Sequence, residues 1–242
     1  MFSEIPMPKV ERNRQNMKYT LCFFPTIGLL IGALLYGWCE ACIACGFGQT
    51  CFALVGAVIP VLVTGGIHLS GFMNTVDMLQ TYEKKERNPE IIKDPRVGAI
   101  AVIGGICYCL LYSAGLVLIW KKEQLLLLGL SYMISRTLSG MSIVWFQPAK
   151  KEGTLFSLST MAHRKAVRIV LVTILALCFI SGIIINPIIG AVMALLAMWV
   201  WTYYYYMSLK KFGGITGDLA GYFLCLCELS NVLLIGGVGR VM

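Results

Sequence analysis

Charged side chains are scarce in this sequence. Only 13% of its 242 residues are Asp, Glu, Lys or Arg, and the chain holds 12 acidic residues and two histidines. An ordinary soluble domain is about one-quarter charged, so this composition excludes a typical soluble protein. Acids and histidines perform most acid–base and metal chemistry in proteins, and the few that are present become the candidates for function.

Apolar residues make up 58% of the chain, and the mean hydropathy is +0.77. Seven apolar segments have roughly the length of a membrane-spanning helix. We therefore predict an all-α fold, a polytopic membrane helix bundle with about seven transmembrane helices, in which residues 1–242 form a single domain. The predicted spans are about 20–38, 52–67, 99–120, 124–146, 167–185, 188–207 and 219–239.

Basic residues are divided unequally between the two ends of these spans. Sixteen Lys and Arg fall in the N-terminal segment, the loops 78–98 and 147–168 and the turn at 210–211, whereas three lie on the other side. Cytoplasmic loops of membrane proteins carry an excess of Lys and Arg. We expect a cytoplasmic N-terminus, and because the net charge of +8 is explained by topology, we expect no nucleic-acid partner.

Four of the ten cysteines form a closely spaced series, C-x2-C-x2-C-x5-C, made by Cys39, Cys42, Cys45 and Cys51. The series resembles a cluster-binding run, but its last spacing differs from the ferredoxin pattern. The remaining cysteines fall in or beside apolar segments, where Cys behaves as a small hydrophobic residue. The sequence leaves the role of the four open.

Polar side chains share one face of the predicted helix in TGGIHLSGFMNTVDMLQ, residues 64–80. Ser70, Asn74 and Asp77 stand at i, i+4 and i+7, a spacing that places them on one side. Their oxygens are the hard ligands that Mg²⁺ prefers. His68 is a candidate general base or metal ligand, although an interfacial histidine is as often simply hydrogen-bonded.

Three further acids lie near predicted helix ends or inside a span: Asp94, Asp218 and Glu228. Carboxylates gathered at one membrane face could hold Mg²⁺, whereas singly each could be a helix cap or an ion-pair partner. Glu228 and Arg136 both fall within apolar spans, where a charge is costly unless it is paired or functional. Either they act on substrate and metal, or they pair with each other across two helices.

The stretch GGITGD, residues 213–218, places glycines and a threonine directly before the last span. Backbone N–H groups at the start of a helix can bind phosphate, which makes Gly213, Gly214 and Thr216 candidate phosphate-binding residues. The pattern is a weak signal alone, because glycine-rich turns before helices are common and neither a P-loop nor a Rossmann fingerprint is present.

Four stretches together resemble one family, the cobalamin 5′-phosphate synthases, also called adenosylcobinamide-GDP ribazoletransferases. TGGIHLSGFMNTVD (64–77) is similar to the family signature, in which a glycine pair and a histidine precede Asp-Gly-x-x-Asp-x-x-Asp. The other stretches are EIIKDPRVGAIAV (90–102), SRTLSG (135–140) with PAKKEG (148–153), and GGITGDLAGYFLCLCEL (213–229).

The resemblance implies an enzyme of the bacterial or archaeal cytoplasmic membrane that acts late in cobalamin assembly. Such an enzyme joins adenosylcobinamide-GDP to α-ribazole or its 5′-phosphate, releases GMP and requires Mg²⁺. Its implied catalytic residues here are His68, Asp77 and Arg136. The metal would be held among Ser70, Asn74, Asp77, Asp94, Asp218 and Glu228, and phosphates would be bound by Lys93, Arg96, Lys151 and Arg136 together with the GGITGD loop.

The sequence departs from the family pattern at its signature. Ser70 and Asn74 stand where the family usually has aspartate, and Cys225 where Glu or Gln is more typical. Losing two anionic ligands weakens Mg²⁺ binding, so a catalytically weakened or inactive relative that binds corrinoid or nucleotide is the alternative. A small transporter is disfavoured, because no span carries a polar stripe through its full depth. The oligomeric state, including a homo-oligomer, stays open.

Overall fold

The computed structural model describes residues 17–87 and 98–241 of the chain. Over these ranges it consists of helices, with no strand longer than one bridged residue pair, which confirms the predicted all-α class. A short 3-10 helix at Thr20–Phe23 comes first. The α-helices are α1 (Phe24–Ala44), α2 (Gln49–Thr64), α3 (Ile67–Arg87), α4 (Ala99–Val117), α5 (Lys122–Trp145), α6 (Gly153–Met161), α7 (Arg164–Ile185), α8 (Pro187–Phe212) and α9 (Gly217–Val241).

Within the described ranges, six helices are long and apolar enough to cross a membrane, and the bent pair α2–α3 would make a seventh span. This agrees with the predicted number of about seven. Large apolar side chains stay exposed around the outside of the bundle, among them Ile184 (76%), Leu195 (71%) and Trp199 (67%). An apolar surface of this extent is that of a protein surrounded by lipid.

The second predicted span, 52–67, extends past the end of its helix. Helix α2 ends at Thr64, where Gly65 and Gly66 take φ values of +62° and +73°, a left-handed conformation that glycine adopts without the strain of a Cβ atom. The chain turns by 94° between α2 and α3. The polar stretch that follows therefore runs in a different direction from the span before it.

Helix α5 lies at the centre of the bundle. Most of its membrane-spanning window is buried, and it packs against α1, α7 and α9. Helix α9 is the second central element and also contacts α3, α4 and α8. Polar side chains on the facing sides of these two helices are consequently buried inside the bundle.

Candidate active site

The signature helix α3 and the last helix α9 cross in direct backbone contact. A Cβ atom built on Gly71 would lie 2.9 Å from the carbonyl oxygen of Asp218, and one built on Gly221 would lie 2.8 Å from that of His68. Real Cβ atoms do not approach other heavy atoms so closely, so both positions require glycine. This crossing brings the HLSG and TGDLAG segments, far apart in sequence, to one place.

A short backbone pairing adds a third segment to this site. The amide of Ile215 donates a hydrogen bond to the Gln147 carbonyl (2.9 Å), and the amide of Ala149 donates one to the Ile215 carbonyl (3.0 Å). The loop after α5 is thereby held against the loop before α9. Lys151 lies in the same loop and is exposed.

A cavity of about 260 Å³ opens beside the helix crossing. Its polar lining comes from three of the four family-like stretches and from the start of α6, and its remaining walls are apolar. The imidazole Nε2 of His68 is buried and has no hydrogen-bond partner among the described residues. Polar lining residues are His68, Ser139, Thr154 and Asp218, and the larger apolar ones are Phe24, Ile67, Ile143, Leu155, Leu158 and Leu224.

Ser70 and Asn74 lie on the other side of α3 from His68. Both are exposed, and they line a shallow hollow of about 270 Å³ together with Gly66, Leu69 and Met73. Residues 68 and 70 are separated by about 200° around a helix of 3.6 residues per turn. The predicted metal face and the histidine thus belong to two separate hollows that flank the first turn of α3.

Asp77, further along the same face of α3, contacts the start of α4. A Cβ atom on Gly98, the residue that caps α4, would overlap the Asp77 carboxylate. A carboxylate is stabilised at a helix N-terminus by the helix dipole. Any larger residue at position 98 would make the Asp77 side chain shift.

Arg136 and Glu228 form a buried ion pair between α5 and α9. Arg136 Nη1 donates to Glu228 Oε1 at 2.6 Å, and the side chains are 1% and 5% exposed. Ser135 Oγ donates to the same carboxylate oxygen at 3.2 Å, and Arg136 also donates to the Tyr132 carbonyl at 3.2 Å. The pairing that the sequence left as the alternative is therefore present in the structure.

This ion pair engages two predicted site residues, Arg136 and Glu228, with each other. Glu228 stands ten residues after Asp218 in the sequence, about 15 Å along a helix that rises 1.5 Å per residue. It cannot share the first coordination shell of one ion with Asp218, because Mg²⁺ binds its ligands at about 2.0–2.1 Å. Arg136 is bound to a carboxylate of the protein rather than lying in the cavity.

The glycines of the GGITGD loop also act differently from the prediction. The amide of Gly213 donates to the Leu209 carbonyl and that of Gly214 to the Ser208 carbonyl, each at 3.1 Å. Those two N–H groups close the end of α8 and are occupied by these hydrogen bonds, and the phosphate-binding role of the loop stays a prediction. Thr216 caps α9, since its Oγ1 accepts a hydrogen bond from the Leu219 amide at 3.2 Å.

The described part of the chain contains no group of three or more His, Cys, Asp or Glu side chains placed to hold a metal ion. This applies to the cysteine series as well: Cys39, Cys42, Cys45 and Cys51 are all free thiols. The three described acids of the predicted metal set, Asp77, Asp218 and Glu228, therefore do not form one cluster. Lys93, Asp94 and Arg96 lie outside the described residues, and their roles stay predictions.

Comparison with known proteins identifies the family of this chain. A family profile described as cobalamin-5-phosphate synthase matches residues 1–236. The chain belongs to this family. Membership confirms the resemblance carried by the four motif stretches, and it covers nearly the whole sequence.

Several bacterial relatives carry the name adenosylcobinamide-GDP ribazoletransferase. The relative from Lachnoclostridium phytofermentans is 37% identical over 229 residues, 95% of this chain and 87% of its own length. That from Clostridium perfringens is 32% identical over 238 residues, 98% and 94% of the two chains. That from Pseudomonas fluorescens is 30% identical over 217 residues, 89% and 87%. No solved structure matches this chain.

Sequence reasoning about this family member missed three parts of the site. It gave no role to Ser139, although this residue lies in the SRTLSG stretch and lines the cavity. It did not find α6, which covers the cavity with Leu155 and Leu158, because nine residues give too short a hydrophobic pattern to detect. It also assigned no purpose to Gly98, whose contact with the Asp77 carboxylate is visible only in the tertiary structure.

Proposed function

We propose that this chain is an adenosylcobinamide-GDP ribazoletransferase, which joins adenosylcobinamide-GDP to α-ribazole or its 5′-phosphate and releases GMP. The observation that carries the proposal is the α3–α9 crossing, which unites the motif stretches around one cavity in a member of this family. The relatives' printed names support the same reaction over almost the whole chain.

The reaction is a transfer at a pyrophosphate. An acceptor hydroxyl oxygen forms a bond to the phosphorus attached to the cobinamide side chain, the bond from that phosphorus to the GMP oxygen breaks, and GMP leaves. Positioning contributes most to such a reaction. Asp218 borders the cavity and is partly exposed, so we assign it the role of the base that accepts the proton of the acceptor hydroxyl. The buried Nε2 of His68 lies further from solvent, and its role as a base stays a prediction.

Mg²⁺ belongs to this proposal. The donor set fits an ion shared with substrate, because Ser70, Asn74 and Asp77 present hard oxygens on one side of α3 and Mg²⁺ is usually bound by one or two carboxylates plus substrate phosphates. When bound, the ion would neutralise charge on the pyrophosphate.

An assay of GMP release tests the proposal. Purified protein in detergent is incubated with adenosylcobinamide-GDP, α-ribazole and Mg²⁺. We expect turnover by the natural sequence, and we expect the Ser70→Asp/Asn74→Asp variant to lower the Mg²⁺ concentration for half-maximal rate by about tenfold or more, since about 1.4 kcal/mol of added attraction is a factor of ten.

The matched control adds Asp77→Asn to that double variant, which removes the one natural carboxylate of the face and should reverse the gain. The neutral residues Ser70 and Asn74 favour one other candidate, a relative that binds substrate without turnover. If the double variant releases GMP and the natural sequence does not, the natural protein binds substrate without turnover and the proposed transferase activity is excluded.

The orientation is also part of the proposal: the motif end of the bundle faces the cytoplasm. The sixteen Lys and Arg on that side against three on the other support it. Cys45, exposed beside the turn between α1 and α2, should react with a membrane-impermeant maleimide in intact cells. In a Cys45→Ser background, a Lys150→Cys variant, which places a thiol in the loop after α5, should gain labelling only after permeabilisation. The opposite pattern would invert the topology.

A further inference from the structure

The cavity beneath α6 has the size of part of a ligand. Pockets that enclose a whole small ligand hold about 300–1,000 Å³, whereas this one holds about 260 Å³. A corrin macrocycle is far too large for it. The cavity is large enough for one flat heteroaromatic ring system of a substrate. The sugar attached to that ring would lie outside the cavity.

The mostly apolar lining of the cavity favours a benzimidazole ring over guanine. Six large apolar side chains form the walls, and only four polar residues border the space. Guanine carries donors and acceptors along most of its edge and would leave several of them unpaired against these walls. A benzimidazole has apolar edges and a single free ring nitrogen, so it requires one hydrogen-bond donor.

His68 can supply this donor, because a neutral imidazole carries a proton on one of its two ring nitrogens. His68 lines the cavity, and its Nε2 is buried without a hydrogen-bond partner among the described residues. A buried polar atom is expected to be paired, so an unpaired one beside a ligand-sized cavity indicates that the ligand supplies the partner. Phe24 packs against His68, with ring centroids 6.3 Å apart, and also lines the cavity.

We propose that this cavity binds the benzimidazole base of the ribazole acceptor. The free ring nitrogen accepts a hydrogen bond from His68 Nε2, and the apolar edge packs against Leu155 and Leu158 of α6. The ribose then leads out of the cavity toward Asp218. This inference rests on the proposed function, since it places one substrate of that reaction.

Equilibrium dialysis of α-ribazole against the full-length protein in detergent tests the inference directly. In Leu155→Trp the indole fills the cavity, and α-ribazole binding should weaken by about tenfold or more. His68→Phe keeps the size of the side chain and removes the donor, and it should weaken binding by about tenfold. Binding of adenosylcobinamide-GDP should be unchanged in both variants, which also shows that they are folded.

Leu195→Trp is the matched control, because Leu195 is 71% exposed on the outer surface of α8 and receives the same substitution. It should bind α-ribazole like the natural sequence. The inference is overturned if Leu155→Trp binds α-ribazole normally, or if it loses adenosylcobinamide-GDP instead, which would assign the cavity to the guanine.

The outcomes also separate this inference from the proposed function. GMP release together with α-ribazole binding that is insensitive to Leu155→Trp leaves the function standing and removes the cavity assignment. Sensitive α-ribazole binding without GMP release supports the assignment and removes the function. Absence of both binding and turnover overturns both.

Discussion

Replacing Arg136 by methionine is expected to lower the free energy of unfolding by about 3–5 kcal/mol. The change leaves the Glu228 carboxylate buried without the guanidinium that now lies 2.6 Å from it. The double variant Arg136→Met/Glu228→Leu should recover most of that loss, because two apolar side chains of similar volume need no partner. Unfolding of the purified protein in mixed detergent micelles measures both.

Lys122→Met provides the matched control, since Lys122 pairs with Glu40 at 3.8 Å with side chains 75% and 42% exposed. An exposed pair of this kind contributes about 0–1 kcal/mol, so this variant should differ little from the natural protein. Near-natural stability of Arg136→Met alone would contradict a buried pair. If the stable double variant still releases GMP, the ion pair has a structural role. If the variant no longer releases GMP, Arg136 acts on the substrate as the sequence predicted.

Replacing Gly221 by alanine is expected to cost about 1–3 kcal/mol of stability and to reduce GMP release about a hundredfold. The added methyl group would lie 2.8 Å from the His68 carbonyl oxygen and 3.2 Å from its Cα. Helices α3 and α9 must then separate, which moves His68 away from Asp218, and a displacement of about 1 Å at a site can cost about a hundredfold in rate.

Gly237→Ala, on the same helix, is the control for this prediction. No heavy atom lies within 4 Å of a Cβ built there, so the substitution should leave activity unchanged and stability unchanged or slightly improved, because alanine is the better helix former. Equal behaviour of the Gly221 and Gly237 variants in the unfolding and GMP assays would mean that α3 and α9 are not in direct contact.

Hydrophobic patterning was sufficient to predict the helical class, the approximate spans and the polar face of α3. It could not predict the bend at Gly65 and Gly66, because hydropathy averaged along a window contains no backbone angle. The four motif stretches identified the family correctly, since ordered motifs retain information that a single short pattern lacks.

Contacts between residues distant in sequence were the part of the site that the sequence could not predict. Arg136 and Glu228 are 92 residues apart, and the sequence offered their pairing only as one of two alternatives. His68 and Ser70 are close in sequence but point to different hollows, because two residues turn a helix through about 200°. Periodicity shows which side chains share a face, but the element packed against that face depends on tertiary structure.

The backbone pairing between Ile215 and the loop at Gln147 and Ala149 joins the two segments that border the cavity. One side of the pairing continues into α6, which covers the cavity, and the other enters α9 just before Asp218. The same two main-chain hydrogen bonds therefore fix the start of α6 and the start of α9 relative to each other. One short backbone pairing thus sets both the cover of the cavity and the position of the acid at its edge.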